Sequence, residues 1–216
     1  MLKRLLLHAI EDLLRPISGP LGVRLRRAYY RRRFKACGSH LTIDTGVSFE
    51  APQLISAGDW LWIDKNVVII AGAANAAGDI TWMDNPDCAA APGEVILGDN
   101  THVAIGCVIQ GHGGVSIGSA CTIGSGSMIY SLSNAVRSAR TGPVVGEGSS
   151  LGRVASPVAI GRNVWLGLNS IVIGHSIGDD CFLKPMTVLV SNLAPNTVAS
   201  GNPARPEGLR YSDISP

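Results

Sequence analysis

No run of eighteen apolar residues occurs in this 216-residue chain, so nothing in it reads as a membrane-spanning helix. A secretory leader is not expected either, because His8, Glu11 and Asp12 interrupt the would-be apolar core near the start. Cysteine is sparse: five residues, an odd number, whose spacing matches neither a zinc knuckle nor a redox pair. A reducing cytoplasm suits such thiols. Aromatics are only 5% of the chain against 26 glycines, the balance expected where short backbone corners recur. The net charge of +2 hides an asymmetry: residues 1–35 carry ten Lys/Arg against Glu11 and Asp12 alone, and the remainder is mildly acidic. No recognition motif accompanies that basic arm, so nucleic acid is not an expected partner.

What is present is a period of six. From residue 97 to residue 134 an aliphatic side chain recurs at Leu97, Val103 and Ile109, and after a two-residue insertion at Ile117, Ile123 and Ile129. Glycine often follows it, and the fifth position is small: Thr101, Cys107, Gly113, Cys121, Ser127 and Ser133. Each hexad then makes one short strand and a tight corner, with the aliphatic residue filling the interior. Three hexads close a coil, and coils stack at strand spacing, about 4.8 Å. No amphipathic helix of comparable length fits these residues. The fold class expected is an all-β solenoid, a parallel β-helix. Cys107, Cys121 and Cys181 all fall on the small position and read as buried small hydrophobes.

A second block strengthens the pattern: Ile160-Gly161-Arg162-Asn163-Val164-Trp165-Leu166-Gly167, then Ile177-Gly178-Asp179-Asp180, closing with Val198-Ala199-Ser200-Gly201-Asn202-Pro203-Ala204-Arg205. These strings resemble the hexapeptide-repeat acyltransferases, most nearly the bacterial O-acetyltransferases of sugars and surface polysaccharides. The resemblance covers residues 40 to 206. It implies a left-handed β-helix, an exception to the usual crossover hand. It also implies acetyl transfer from acetyl-CoA to a hydroxyl of a carbohydrate acceptor, by a homotrimer with active sites between subunits. No metal is expected.

Three parts follow: an arm (1–37), the β-helix (38–206, with extruded loops at 72–92 and 135–156) and a tail (207–216). The arm reads as a helix over residues 1–14, broken by Pro16 and Pro20, and a basic helix over 21–35. Either it caps the open end of the stack, or it docks on anionic lipid at the inner membrane face. Pro195, Pro203 and Pro206 are expected to end regular structure.

Register places Ile109, Ile129 and Val172 at equivalent positions of successive coils. Counting three onward puts His112, Leu132 and His175 on one corner, where the 135–156 loop departs. Acyl transfer to a hydroxyl needs a base near neutral pKa and a donor for the oxyanion. The resembled family supplies the base in a string such as S-L-S-N-H-Y-R. Here Ser131-Leu132-Ser133-Asn134-Ala135-Val136-Arg137 stands in its place, with Ala135 where the histidine is expected. Alanine can neither accept a proton nor donate a hydrogen bond. Three explanations compete: an inactivated variant, a base supplied by His112 or His175, or a fold retained without catalysis as a trimeric binding module. For His112 the structural alternative is a corner histidine bonded to backbone carbonyls. Asn134 joins Ala135, His112 and His175 in the expected catalytic group, and Ser131, Ser133 and Arg137 are the expected acceptor contacts. Trp165, Gly167 and Asn169 match a segment lining the family's donor groove. Lys184, Arg205 and Arg210 are candidate phosphate partners. A zinc enzyme of the γ-carbonic anhydrase type is the weaker alternative, because His102 and His112 fall on different corners.

Overall fold

The computed structural model describes residues 2–74, 80–135 and 152–212. Its core is a stack of coils with three parallel faces. One face holds Val95–Leu97, Val115–Ile117 and Val158–Ile160; the next holds His102–Val103, Thr122–Ile123 and Trp165–Leu166; the third holds Val108–Gln110, Met128–Tyr130 and Ile171–Ile173. Each coil visits first, second and third face in turn. Ile109 pairs in register with Ile129, and Ile129 with Val172, as the hexad count requires. Alternation along these short strands turns every aliphatic hexad residue inward, and Leu97, Val103, Ile109, Ile117, Ile123 and Ile129 are all buried.

The corners between first and second face, and between second and third, are turned largely by residues with positive φ. Asn66, Asn100, Asn163, Asn169, Asn196 and Asp180 all adopt the left-handed region there. Asn and Asp tolerate that conformation better than other side-chain-bearing residues. The small position sits beside the aliphatic one: Thr101, Cys107, Cys121, Ser127 and Cys181 are buried. Ser133 departs from the pattern and is exposed, because the chain leaves the coil before reaching it.

Helix α1 (Leu2–Leu14) and helix α2 (Gly19–Tyr30) cap the first coil. The second helix is shorter than the basic run suggests, and Pro20 opens it rather than breaking it, since a first-turn residue needs no N–H partner. Tyr30 and Phe34 close over Phe49, with ring centroids 4.6 and 5.1 Å from it. Arg26 is fully buried in the cap. Its guanidinium donates to the carbonyls of Ile43 (3.0 Å), Leu14 (2.9 Å) and Ile17 (2.6 Å), tying both helices to the first coil.

Two expectations are corrected. The loops at 72–92 and 135–156 are not wholly irregular: Ile80–Trp82 pairs in parallel with Arg153–Ala155, which pairs antiparallel with Leu132–Asn134. Their β-branched and aromatic residues and free backbone edges pair with one another once both loops leave the same corner. The expected tail at 207–216 is also partly ordered. Arg205–Leu209 folds back antiparallel on Thr197–Ser200, so Pro206 lies on an edge strand rather than ending the structure.

Replacing Arg26 with alanine removes the donor to one buried and two part-buried carbonyls and leaves a cavity. Urea denaturation of R26A is expected to show a loss of about 3 kcal/mol; a loss under about 1 kcal/mol would show the guanidinium dispensable to the cap.

Candidate active site

Both loops leave the stack at the third-to-first corner, and the two histidines singled out by register lie there as well. The intervening coil turns this corner through Gly111-His112-Gly113-Gly114. Gly113 is required: a Cβ there would lie 2.3 Å from the Ser131 carbonyl oxygen of the next coil. Gly114 has φ +100°, where a side chain is strained. The tight turn leaves His112 half-buried beside the first loop.

His112 Nδ1 lies 2.8 Å from the Gly72 carbonyl oxygen. A carbonyl only accepts, so Nδ1 carries the proton and the neutral ring keeps its lone pair on Nε2. This is the backbone contact of a merely structural corner histidine. It is also the contact that fixes the tautomer of a proton acceptor.

The paired loops wall two clefts at this corner. One, about 470 Å³, is lined by Gln110, His112, Ser133, Asn134 and Arg153 among others. The other, about 410 Å³, takes in Asp84, Asn85, Ser133, Ser156, His175 and Asn192. They share Tyr130, Leu132, Ser133 and Ile173, so the strand Leu132–Asn134 stands between them. The first loop is clamped across this strand's base. Asn85 Nδ2 donates to the Pro157 carbonyl (2.8 Å), and its Oδ1 accepts from Ser176 Oγ (3.1 Å).

Among the predicted residues, His112, Ser133 and Asn134 share one cleft, and Ser131, Ser133 and His175 line the other. Ala135 sits just past the strand, its N–H donating to the Gly152 carbonyl at 2.8 Å. Arg137 lies outside the described residues. Ser131 belongs to the corner's frame: it is buried, its Oγ donates to the Gln110 carbonyl (2.6 Å) and accepts from the Gly113 N–H (2.9 Å). Gln110, Tyr130, Asp84, Asn85 and Asn192 were missed. The polar turn Asp84-Asn85-Pro86-Asp87 was legible as a turn, but nothing in the sequence said that it folds toward the stack.

The expected donor-side residues gather elsewhere. Trp165 is exposed on the second face, its ring 5.4 Å from that of Phe182. Gly167 and Asn169 follow on the adjoining second-to-third corner. A Cβ on Gly167 would meet the next coil 2.4 Å away, and Asn169 has positive φ, so coil packing alone accounts for both. Lys184 is ion-paired with Glu207, whose carboxyl is held below the usual range by that lysine and by Ser200. Arg205 is on the neighbouring strand. Arg210 donates to the carbonyls of Asn163 and Cys181, which commits it to the stack. Within one chain the third face separates this group from the histidine corner. His102 is apart from both, its Nε2 2.9 Å from Asp64 Oδ2 on the second face.

Residues 157–184 match the model of the hexapeptide repeat of succinyl-transferase. That segment is one stretch of the stacked coils, from Pro157 to Lys184. Its match to a Schizosaccharomyces pombe protein named as an acetyltransferase is 39% identical over 51 residues, 23% of this chain and 25% of the relative. The alignment thus spans about a quarter of that relative's length. Among solved structures, this chain is similar to a variant of AntD, an N-acyltransferase from Bacillus cereus in complex with dTDP and coenzyme A. That likeness has a TM-score of 0.69 and 20% identity, over 86% of this chain and 89% of the other. It is also similar to a maltose O-acetyltransferase from Clostridium difficile 630, with a TM-score of 0.54 and 19% identity, over 92% and 81% of the two chains. At such identities these likenesses concern the fold.

The Ser131 hydroxyl bridges two coils at the corner carrying His112. S131A is expected to lower stability by about 1–3 kcal/mol by leaving the buried Gly113 N–H without its acceptor, the Gln110 carbonyl keeping the Ser131 N–H, read from the thermal midpoint. An unchanged midpoint would show that the corner holds without it.

Proposed function

We propose that this protein is an acyltransferase that moves an acetyl group from acetyl-CoA to a hydroxyl of a carbohydrate, with His112 as general base. The observation that carries this reading is the His112–Gly72 contact, which leaves Nε2 free to accept a proton inside a cleft of sugar-sized volume. The acceptor oxygen loses its proton to Nε2 and attacks the thioester carbonyl. The tetrahedral intermediate collapses, and the departing thiolate takes the proton back. Ser133 and Asn134, exposed in the same cleft, orient the acceptor. Ala135 then marks a base relocated by one coil along the same corner. The fold likeness to an N-acyltransferase in complex with dTDP-4-amino-4,6-dideoxyglucose and coenzyme A, and to a maltose O-acetyltransferase, supports the substrate class.

The donor groove in this reading is formed with a second copy. Trp165 and Lys184 lie across the third face from His112, and in this reading a homotrimer sets that edge of one subunit against the histidine corner of the next. Ile105, Leu168 and Met186 form an exposed apolar ridge on the second-to-third corner, which such packing covers. Light scattering after gel filtration is expected to give the mass of three chains, and L168E with M186E the mass of one. A wild-type monomer would remove the shared groove.

Ala135 favours a second reading, transfer to the amine of an amino sugar. A free amine attacks a thioester without prior loss of a proton and needs a weaker base. Release of coenzyme A thiol with hydroxyl and amino sugars separates the two. On the first reading H112A lowers kcat by about 10²–10⁴ with a hydroxyl acceptor, while A135H changes it little. A loss under about tenfold, confined to amino sugars, would select the amine. Turnover that appears only in A135H would mark the natural chain as an inactivated enzyme, and none in either chain a binding module.

A further inference from the structure

We infer that the helical arm docks this protein on the surface of an anionic lipid bilayer. Helix α1 has two apolar faces. Leu7, Ile10 and Leu14 turn inward with Glu11 toward α2 and the first coil. On the other side Leu5, Leu6 and Leu13 are 59, 61 and 72% exposed, with Ala9 between them. The spacing 5, 6, 9, 13 makes one continuous outward stripe. Capping the coil accounts for the inner face and leaves the outer one without a partner.

The outward face of α2 alternates the same two chemistries. Leu21, Arg24, Leu25 and Ala28 are all exposed, and Arg31 and Arg32 follow them on that side. Leucine interleaved with arginine suits an interface, where apolar bodies sink toward the acyl chains and guanidinium groups reach phosphates. The acidic groups of the arm do not oppose this. Glu11 is buried, bonded to the Tyr29 hydroxyl (3.1 Å) and paired with Arg33 (3.5 Å). Asp12 is paired with Arg15 at 3.2 Å. Among the described residues the arm shows to solvent leucine and an excess of positive charge, with Asp12 as the one exposed carboxylate and that one paired. A second copy is a poor occupant, because Arg24, Arg31 and Arg32 would meet their own counterparts. An anionic bilayer supplies both an apolar layer and the opposite charge. Docking would hold the third-to-first clefts beside a membrane-borne acceptor, although it does not depend on any catalytic reading.

The test is co-sedimentation of the full chain with phosphatidylcholine vesicles, with and without about 30% phosphatidylglycerol. Binding is expected with the anionic lipid, at least tenfold weaker without it, and weakened by salt. L5E with L13E should abolish it, and R24Q with R31Q and R32Q should reduce it at least tenfold. These sites are on the surface, so thermal midpoints should stay near wild type. As an independent reading, L6W should add an emission that shifts to the blue with anionic vesicles. No binding to anionic vesicles, binding indifferent to the leucine pair, an unshifted L6W emission, or a fall in oligomer mass in the leucine variant would each overturn the proposal.

Discussion

The backbone ladder between coils is what everything else hangs on. Strands of two or three residues cannot hold shape alone; each is fixed because its N–H and C=O groups meet those of the coils above and below. Val108–Gln110 is the clearest case, bonded in register to Val68–Ile70 on one side and Met128–Tyr130 on the other. That ladder gives residues 112, 132 and 175 a common neighbourhood although they are far apart in sequence. The interior then needs only aliphatic side chains of similar size, which is why so few aromatic residues suffice. Those that are buried, Tyr30, Phe34 and Phe49, sit where the regular interior ends and the cap begins.

The same regularity explains what was readable beforehand. A period of six with small fifth residues constrains backbone path and side-chain direction together, so the pairing of Ile109, Ile129 and Val172 followed from counting. The burial of Cys107, Cys121 and Cys181 followed as well; burial pushes the first two thiols up to about 11. Legibility stopped where the period stopped. The strand Ile80–Trp82 owes its existence to Arg153–Ala155, more than seventy residues away, and neither segment carries a pattern that names the other. Asn85 was visible as a turn residue, but its bridge between Pro157 and Ser176 depends on both loops sharing a corner. Ser131 was assigned to the acceptor because its neighbours resembled a motif; its burial became evident only when Gln110 and Gly113 were seen on either side.

Arg26 shows a different kind of limit. A basic helix suggested capping or lipid contact, and the sequence offered no means of telling inward from outward arginines. Burying a guanidinium is costly; three carbonyls offset part of that cost through Nε and Nη1, and Nη2 stays buried without a hydrogen-bond partner. In the arm, one arginine serves the fold while its neighbours remain in solvent. The mixture of roles within one short run is what composition averages away.

The returning strand Arg205–Leu209 has a consequence for assembly size. A parallel coil is a template: its last rung presents the same edge as every rung before it, so an unfinished stack invites another chain to continue it without limit. Here the second face of the final rung is met by a strand running the opposite way, with a proline as its second residue, while the other extremity lies under two helices. Along that face the stack is closed to continuation at one pole, and the helices cover the other. Endless growth along the axis is thereby opposed, and association is directed to the flanks.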